Sequence, residues 1–130
     1  NNRSIKINLI MEKLFVTFDL ASKLKEKGFN EKCFAYQNPD SGEFRLHGYS
    51  TYCGGKEVLN IPTHQQCVDW LRINHRIEVS SPCKKDKDLG VFYGGYVKKY
   101  DDDFGKSYGS NFRDYYEAYN QGIEEALKLI

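Results

Sequence analysis

Three helix-capping signals divide the chain of 130 residues and restrict what it can fold into. Thr17 precedes an amphipathic segment that ends at Gly28, Thr63 precedes a second, and Asn111 precedes a third that runs to the C-terminus. Thr and Asn favour the position before a helix because their side-chain oxygens accept an otherwise unpartnered backbone N–H. Short runs rich in Tyr, Phe and Val, typical of strands, lie between these segments. The order predicts an α+β fold: a mainly antiparallel sheet of about four or five strands, with three helices packed on one face.

The first predicted helix covers residues 18–27. Gly28 suits the left-handed position that closes many helices, and Phe29 would then contact Leu24, as in a Schellman motif. The second predicted helix covers His64–His75, where Gln66 follows Thr63 at the spacing of a capping box. Its apolar stripe is predicted to contain the following side chains: Cys67, Val68, Trp70, Leu71 and Ile73. The third helix has apolar residues at helical spacing: Phe112, Tyr116, Tyr119, Ile123, Ala126, Leu127 and Ile130.

The remaining segments are predicted to form short strands and turns. Strands are expected within 33–36, 44–49, 58–59 and 77–79, with a turn at 38–42 and a charged loop at 81–88. Gly94 and Gly95 separate two further apolar runs, which form either one bulged strand or a tight hairpin.

Composition sets the broad class of the protein. Hydrophobic residues make up 40% of the chain and aromatic residues 15%, which is ample for one core. No apolar run is long enough to span a membrane, so a membrane protein is not expected. Four cysteines match no small secreted framework, which indicates reduced thiols and a cytoplasmic location. Residues 1–10 are interpreted as an upstream extension before Met11, and 11–130 as the single α+β domain.

Several segments resemble those of a group of short uncharacterised proteins encoded by prophages and mobile elements of gut anaerobic bacteria. The segments are 14–17 (LFVT), 24–29 (LKEKGF), 33–36 (CFAY), 62–66 (PTHQQ), 70–72 (WLR) and 124–130 (EEALKLI). The resemblance covers residues 11–130 and implies an accessory gene product inside a bacterial cell. No activity is assigned to such proteins, so the resemblance implies no catalytic residue and no cofactor.

Two arrangements of sulfur and imidazole groups are candidate chemical sites. His64 and Cys67 share a helix face, and with Cys53 and Cys83 they would make a zinc site with three cysteines and one histidine. The absence of a short Cys-x-x-Cys spacing argues against it, and buried Cys67 with an exposed His64 is the simpler interpretation. Cys33 and His47 would make a nucleophile pair, but an apolar strand raises the pKa of a thiol and leaves it unreactive.

The strongest candidate binding surface combines tyrosine and basic side chains. Its residues are Tyr93, Tyr96, Lys98, Lys99, Tyr100, Arg72 and Arg76, with His75, Lys84, Lys85 and Lys87 nearby in sequence. Aromatic rings and cations are the groups that hold a nucleic-acid strand, but alternating tyrosines also pack ordinary sheets. The formal net charge of +1 disfavours non-specific binding to a polyanion.

The sequence therefore gives three hypotheses for function. The first is a non-enzymatic accessory protein that binds another protein through the tyrosine-rich segment 93–100 and the exposed side of the last helix. The alternative is a nucleic-acid-binding module that uses Lys84, Lys85, Lys98 and Lys99, and the third is a small zinc or cysteine-dependent enzyme. A monomer or a homodimer is expected, the dimer through a tyrosine-rich edge strand.

Overall fold

The computed structural model describes residues 12–46, 52–53, 55–88, 90–109 and 112–130. The backbone divides into two compact units, Asn1–His64 and Gln65–Ile130. Three helices lie within the described residues: α1 (Phe18–Glu26), α2 (His64–His75) and α3 (Tyr115–Leu127). The predicted extension over 1–10 lies outside the described residues, and the assignment of 11–130 to a single domain stays a prediction.

Among its described residues, the first unit contains one sheet of three strands and one of two. In the larger sheet, β1 (Ala35–Gln37) lies between β2 (Phe44–Leu46) and β5 (Leu59–Ile61), and both pairings are antiparallel. In the smaller sheet, β3 (Tyr52–Cys53) pairs antiparallel with β4 (Lys56–Glu57). The fully buried side chains of this unit include Leu24, Ala35 and Ile61, which places its core between α1 and the larger sheet.

The second unit also contains a sheet of three strands and one of two. In the larger sheet, β9 (Tyr96–Lys99) lies between β6 (Ile77–Ser80) and β10 (Lys106–Ser107). In the smaller sheet, β7 (Cys83–Asp86) and β8 (Gly90–Tyr93) form an antiparallel pair. Helix α3 contacts β6, β8 and β9, and the buried side chains of this unit include Leu71, Ile77, Val79 and Ile123.

The predicted α+β class, antiparallel pairing and three helices are confirmed across the described residues. In the part of the chain that the structure describes, however, the strands divide among four small sheets and do not form one sheet of four or five. Each strand within the described residues has only two to four residues. Glycines 94 and 95 form neither a bulge nor a hairpin, because they connect β8 to β9 in a different sheet.

Two further predictions about strands are wrong. The segment 81–88 is not a charged loop, because residues 83–86 pair with β8 in register from Cys83 opposite Tyr93 to Asp86 opposite Gly90. Strand β9 is not a free edge, because it pairs on both sides. A second copy of the chain therefore cannot pair with β9 to form a dimer. The expectation of a monomer or a homodimer stays a prediction.

Helix α1 follows the predicted capping chemistry at both ends. Thr17 Oγ1 accepts a hydrogen bond from the Leu20 N–H at 3.2 Å. At the other end Gly28 has φ of +99°, and the Phe29 N–H donates to the Leu24 carbonyl at 3.0 Å. These contacts are those of a Schellman motif, which the Gly28–Phe29 pair had indicated.

Helix α2 has the predicted bounds, but one residue of its predicted apolar stripe is misplaced. Cys67, Leu71 and Trp70 are buried, whereas the Ile73 side chain is 76% exposed. Each residue turns an α-helix by about 100°, so Ile73 lies about 200° around the axis from Leu71. That rotation carries Ile73 away from the buried side.

Helix α3 does not begin at Asn111, which itself lies outside the described residues. Phe112 pairs with Tyr93, and the two residues exchange backbone hydrogen bonds of 2.7 and 3.0 Å, so Phe112 is part of a β-bridge. The N-cap is Asp114, whose carboxylate accepts the Tyr116 N–H at 2.8 Å. Because Phe112 pairs with a strand residue distant in sequence, α3 begins only at Tyr115.

Candidate functional site

The sheet of β6 and β9 has one buried face and one partly exposed face. Ile77, Val79 and Val97 are buried, and Val79 stands opposite Val97 in the antiparallel register. Alternation along each strand places the intervening side chains on the other face, which is called the outer face below. The outer face carries Glu78, Ser80, Tyr96 and Lys98, all half-buried.

Glu78 is the centre of the polar contacts on the outer face. Arg72 of α2 donates to both carboxylate oxygens, from Nε at 2.8 Å and from Nη2 at 2.7 Å. Tyr100 donates its hydroxyl to the same carboxylate at 3.2 Å, and Lys98 stands directly opposite Glu78 in the register. Hydrogen bonds from Arg72 hold the pKa of Glu78 below its usual value despite partial burial. Two predicted site residues, Arg72 and Tyr100, therefore meet through a carboxylate that the sequence did not single out.

Arg76 occupies the single-residue connection between α2 and β6. Its φ of +55° lies in the left-handed region, and its carbonyl accepts the Tyr100 N–H at 2.8 Å. Its guanidinium lies 3.7 Å from the Asp101 carboxylate. Like Arg72, Arg76 therefore faces an acidic side chain.

Two strongly exposed apolar side chains stand next in sequence to residues that contact the outer face, and these two are called its borders below. Ile73 of α2, 76% exposed, lies between the two arginines in the chain. Phe104 is 85% exposed and precedes Gly105, whose N–H donates to Tyr96 Oη at 3.1 Å. The sequence pattern assigned Ile73 to the apolar stripe of α2, so its exposure was missed, whereas residues 101–105 were expected to form an exposed turn.

A small hollow lies beside Tyr96. Ser80, Tyr96 and Ser107 occupy matching positions across β6, β9 and β10, so all three belong to the same face. With the neighbouring Pro82 and glycines they line a space of about 250 Å³. A side chain of a partner could enter a space of this size.

The rest of the predicted tyrosine and lysine set lies elsewhere. Tyr93 belongs to β8, and its ring packs edge-on against Tyr115 at a centroid distance of 5.5 Å. Lys99 stands opposite buried Ile77, on the other face from Lys98, and is exposed. Lys84 and Lys85 belong to β7 in the separate two-stranded sheet. Among the side chains that the structure describes, the predicted set is therefore divided, and Tyr96, Lys98, Tyr100, Arg72 and Arg76 lie on or beside the outer face.

The residues considered for a zinc site do not lie together. His64 is 5% exposed, with Nδ1 at 3.1 Å from the Leu14 carbonyl, so the expectation that it is exposed is wrong. Cys67 is fully buried and Cys83 is exposed on β7. Within the described part of the chain, no three His, Cys, Asp or Glu side chains converge as metal ligands. The side chain of Cys53 lies outside that part.

Cys33 lacks the surroundings of a reactive thiol. Its side chain is buried, and its sulfur donates to the Glu31 carbonyl at 3.4 Å. Burial, and secondarily the charge of Glu31, raise the pKa of the Cys33 thiol to about 12. The thiolate that a nucleophile requires is therefore suppressed at neutral pH. His47, its proposed partner, lies outside the described residues.

No protein-family model, curated protein or solved structure matches the chain. No helix of the described residues combines the length and the apolar character needed to cross a bilayer. Function is therefore inferred from the outer face and its borders.

Proposed function

We infer that this protein is a non-enzymatic interaction module that binds a protein partner through the outer face and its borders at Ile73 and Phe104. The predicted setting, an accessory protein of a phage or mobile element in the bacterial cytoplasm, is part of the proposal. The phage or mobile-element origin rests on the sequence resemblance, and the cytoplasmic location rests on the cysteine pattern.

The charge pairing of the outer face is the observation that supports a protein partner most directly. Arg72 is held in a two-bond contact with Glu78, and Arg76 lies beside Asp101. A phosphate would have to compete with these carboxylates for the same guanidinium donors. A surface that carries both positive and negative side chains suits a protein partner, because protein surfaces also carry both and the two can be complementary.

The exposed apolar side chains support the same proposal. Ile73 and Phe104 lose apolar exposure only if another molecule covers them, and covering such groups is favourable. Tyr and Arg, which carry much of the binding energy in protein interfaces, are both present here as Tyr96, Tyr100 and Arg72. The hollow beside Tyr96 adds a place for an inserted side chain.

The experiment is affinity capture from a lysate of the source cells after nuclease treatment, with quantitative mass spectrometry. The double variant I73S/F104S removes both exposed apolar groups. The matched control is F34S, which removes an aromatic side chain that is 73% exposed in the first unit. We expect the wild-type chain and F34S to retain the same protein, and I73S/F104S to lose it.

Circular dichroism of all three proteins first establishes that the variants are folded. Equal capture by the three proteins would refute the role of this surface. Capture that disappears after nuclease treatment would instead favour the nucleic-acid module.

A further inference from the structure

Lys98 is a charged side chain of the outer face that has no counter-ion among the described residues. It is half-buried on β9 and stands opposite Glu78 of β6. The Glu78 carboxylate already accepts two hydrogen bonds from Arg72 and one from Tyr100. Within the described part of the chain, no hydrogen bond or ion pair joins the Lys98 ammonium group to another side chain.

The two arginines beside the outer face do not contribute to this surplus of positive charge. Arg72 lies 2.7 Å from a Glu78 oxygen, and Arg76 lies 3.7 Å from an Asp101 oxygen. Each arginine therefore has an acidic neighbour within the chain. The positive charge of the outer face that stays uncompensated by the described residues belongs to Lys98.

The hydroxyl group of Tyr96 is a second donor beside Lys98. Tyr96 Oη accepts the Gly105 N–H at 3.1 Å, so its own hydrogen is left to donate, and the described residues provide no acceptor for it. Gly105 precedes Lys106, which pairs with Val97, and continuing this register by one residue brings Gly105 to the level of Lys98. An ammonium group and a hydroxyl group therefore lie at neighbouring positions, and both lack an acceptor.

We propose that the protein partner binds the outer face through an acidic segment, one Asp or Glu side chain of which accepts hydrogen bonds from Lys98 and Tyr96. The inference rests on the proposed function, because it names the chemistry of the partner at the same surface. A carboxylate supplies both the acceptor oxygens and the negative charge that this part of the face lacks. A nucleic-acid strand needs several free cations along its backbone, whereas Lys98 supplies one.

Carbodiimide cross-linking of the captured complex tests the contact directly. The reagent joins an amine to a carboxylate as an amide only where the two groups touch, and mass spectrometry of the peptides identifies the linked residues. We expect Lys98 to be linked to an Asp or Glu of the captured protein. Lys99 is the internal control, because it is exposed on the other face of the same strand and should form no link to the partner.

Variants measure how much the charge contributes to binding of the purified captured protein. Lys98→Gln removes the charge, whereas Lys98→Glu would place two like charges opposite each other with Glu78. We expect Lys98→Gln to weaken binding about tenfold, because a hydrogen bond to a charged group is lost. Lys98→Arg should restore most of the affinity, and the matched control Lys99→Gln should leave it unchanged. Circular dichroism establishes that the variants are folded.

The outcomes separate this inference from the proposed function. If I73S/F104S loses the partner while Lys98→Gln binds as tightly as the wild-type chain and Lys98 forms no link, the interface stands and the acidic contact is wrong. If the wild-type chain retains no protein at all, both fail. Loss of capture after phosphatase treatment of the lysate would identify a phosphate group in place of the carboxylate, and would also overturn the inference.

Discussion

Tyr108 occupies a space that exists only because two glycines lack side chains. A Cβ atom at Gly95 or Gly122 would overlap the Tyr108 ring or its hydroxyl, and at Gly122 it would also lie 2.7 Å from Val79 Cγ1. Gly122 costs α3 about 1 kcal/mol relative to Ala, and this packing explains its presence. The Tyr108 hydroxyl is buried without a hydrogen-bond partner among the described residues. Burial raises the pKa of this hydroxyl to about 12.

Replacing Tyr108 with Phe should increase stability, most clearly at high pH. The variant removes a desolvated hydroxyl at nearly constant shape, so we expect a gain of up to about 1 kcal/mol at pH 7. The pKa of Tyr108 is higher in the folded chain than its ordinary value of 10.0. Ionisation of Tyr108 therefore leaves the free energy of unfolding of the wild-type chain unchanged below about pH 10 and lowers it as the pH rises from 10 toward 12. The variant should lose less over this interval, as measured by urea denaturation at pH 7, 9 and 11.

The matched control for this prediction is Tyr100→Phe. The Tyr100 hydroxyl is bonded to Glu78 at a partly exposed position, so its removal should slightly reduce stability at pH 7. A loss above about 1 kcal/mol in Tyr108→Phe would show that its hydroxyl has a stabilising partner.

The cysteines should differ sharply in reactivity. Cys33 and Cys67 are buried, and the pKa of Cys33 is raised to about 12, whereas Cys83 is exposed. In a Cys53→Ser background, an aromatic disulfide reagent at pH 8 should react rapidly with one thiol of the folded protein. Adding Cys83→Ser should remove that rapid phase, and denaturant should release the other two thiols. A rapid phase that survives Cys83→Ser would contradict the burial of Cys33 or Cys67.

At the scale of elements, the start of α3 depends on Asp114. Its carboxylate accepts the Tyr116 N–H, so Asp114→Ala should reduce the free energy of unfolding by about 1 kcal/mol. Asp103→Ala is the matched control, because it removes the same charge from an exposed position between β9 and β10. Urea denaturation of both variants measures the difference. Equal stabilities would mean that the cap contributes nothing to α3.

Elements specified by local chemistry could be predicted from the sequence, and elements specified by distant pairing could not. Thr17 and Gly28 determine the ends of α1 through contacts with neighbouring residues. Asn111 and Asp114 are equally good capping residues, and the contact of Phe112 with distant Tyr93 decides between them. The lysine-rich segment of β7 has the composition of a loop, and its pairing with β8 makes it a strand. Tertiary contacts override local preference in each such case.

The candidate site could be predicted from the sequence only in part. Arg72 and Tyr100 were identified by residue type, because aromatic and cationic groups suit binding. Glu78, which connects them, appears in the sequence as one polar position in a short strand. Its role depends on the sheet register and on the approach of α2, neither of which a local pattern contains.

At the scale of the whole molecule, charge balance predicts weak binding to nucleic acid. The formal net charge is +1, and both arginines of the outer face have acidic neighbours. We expect no retention of single-stranded DNA in a filter-binding titration at about 150 mM salt, and only weak binding at about 50 mM. Binding at the higher salt concentration with a steep salt dependence would contradict this and restore the nucleic-acid hypothesis.

The single-residue connection at Arg76 limits how sequences of this kind can change in length. Inserting one amino acid there would lengthen the connection and shift α2 relative to β6, which would disturb the contact of Arg72 with Glu78. The turn over 38–42 has no comparable constraint on a neighbouring helix. We therefore expect insertions and deletions among diverging copies of this gene to accumulate in such turns and to be absent from the junction at Arg76.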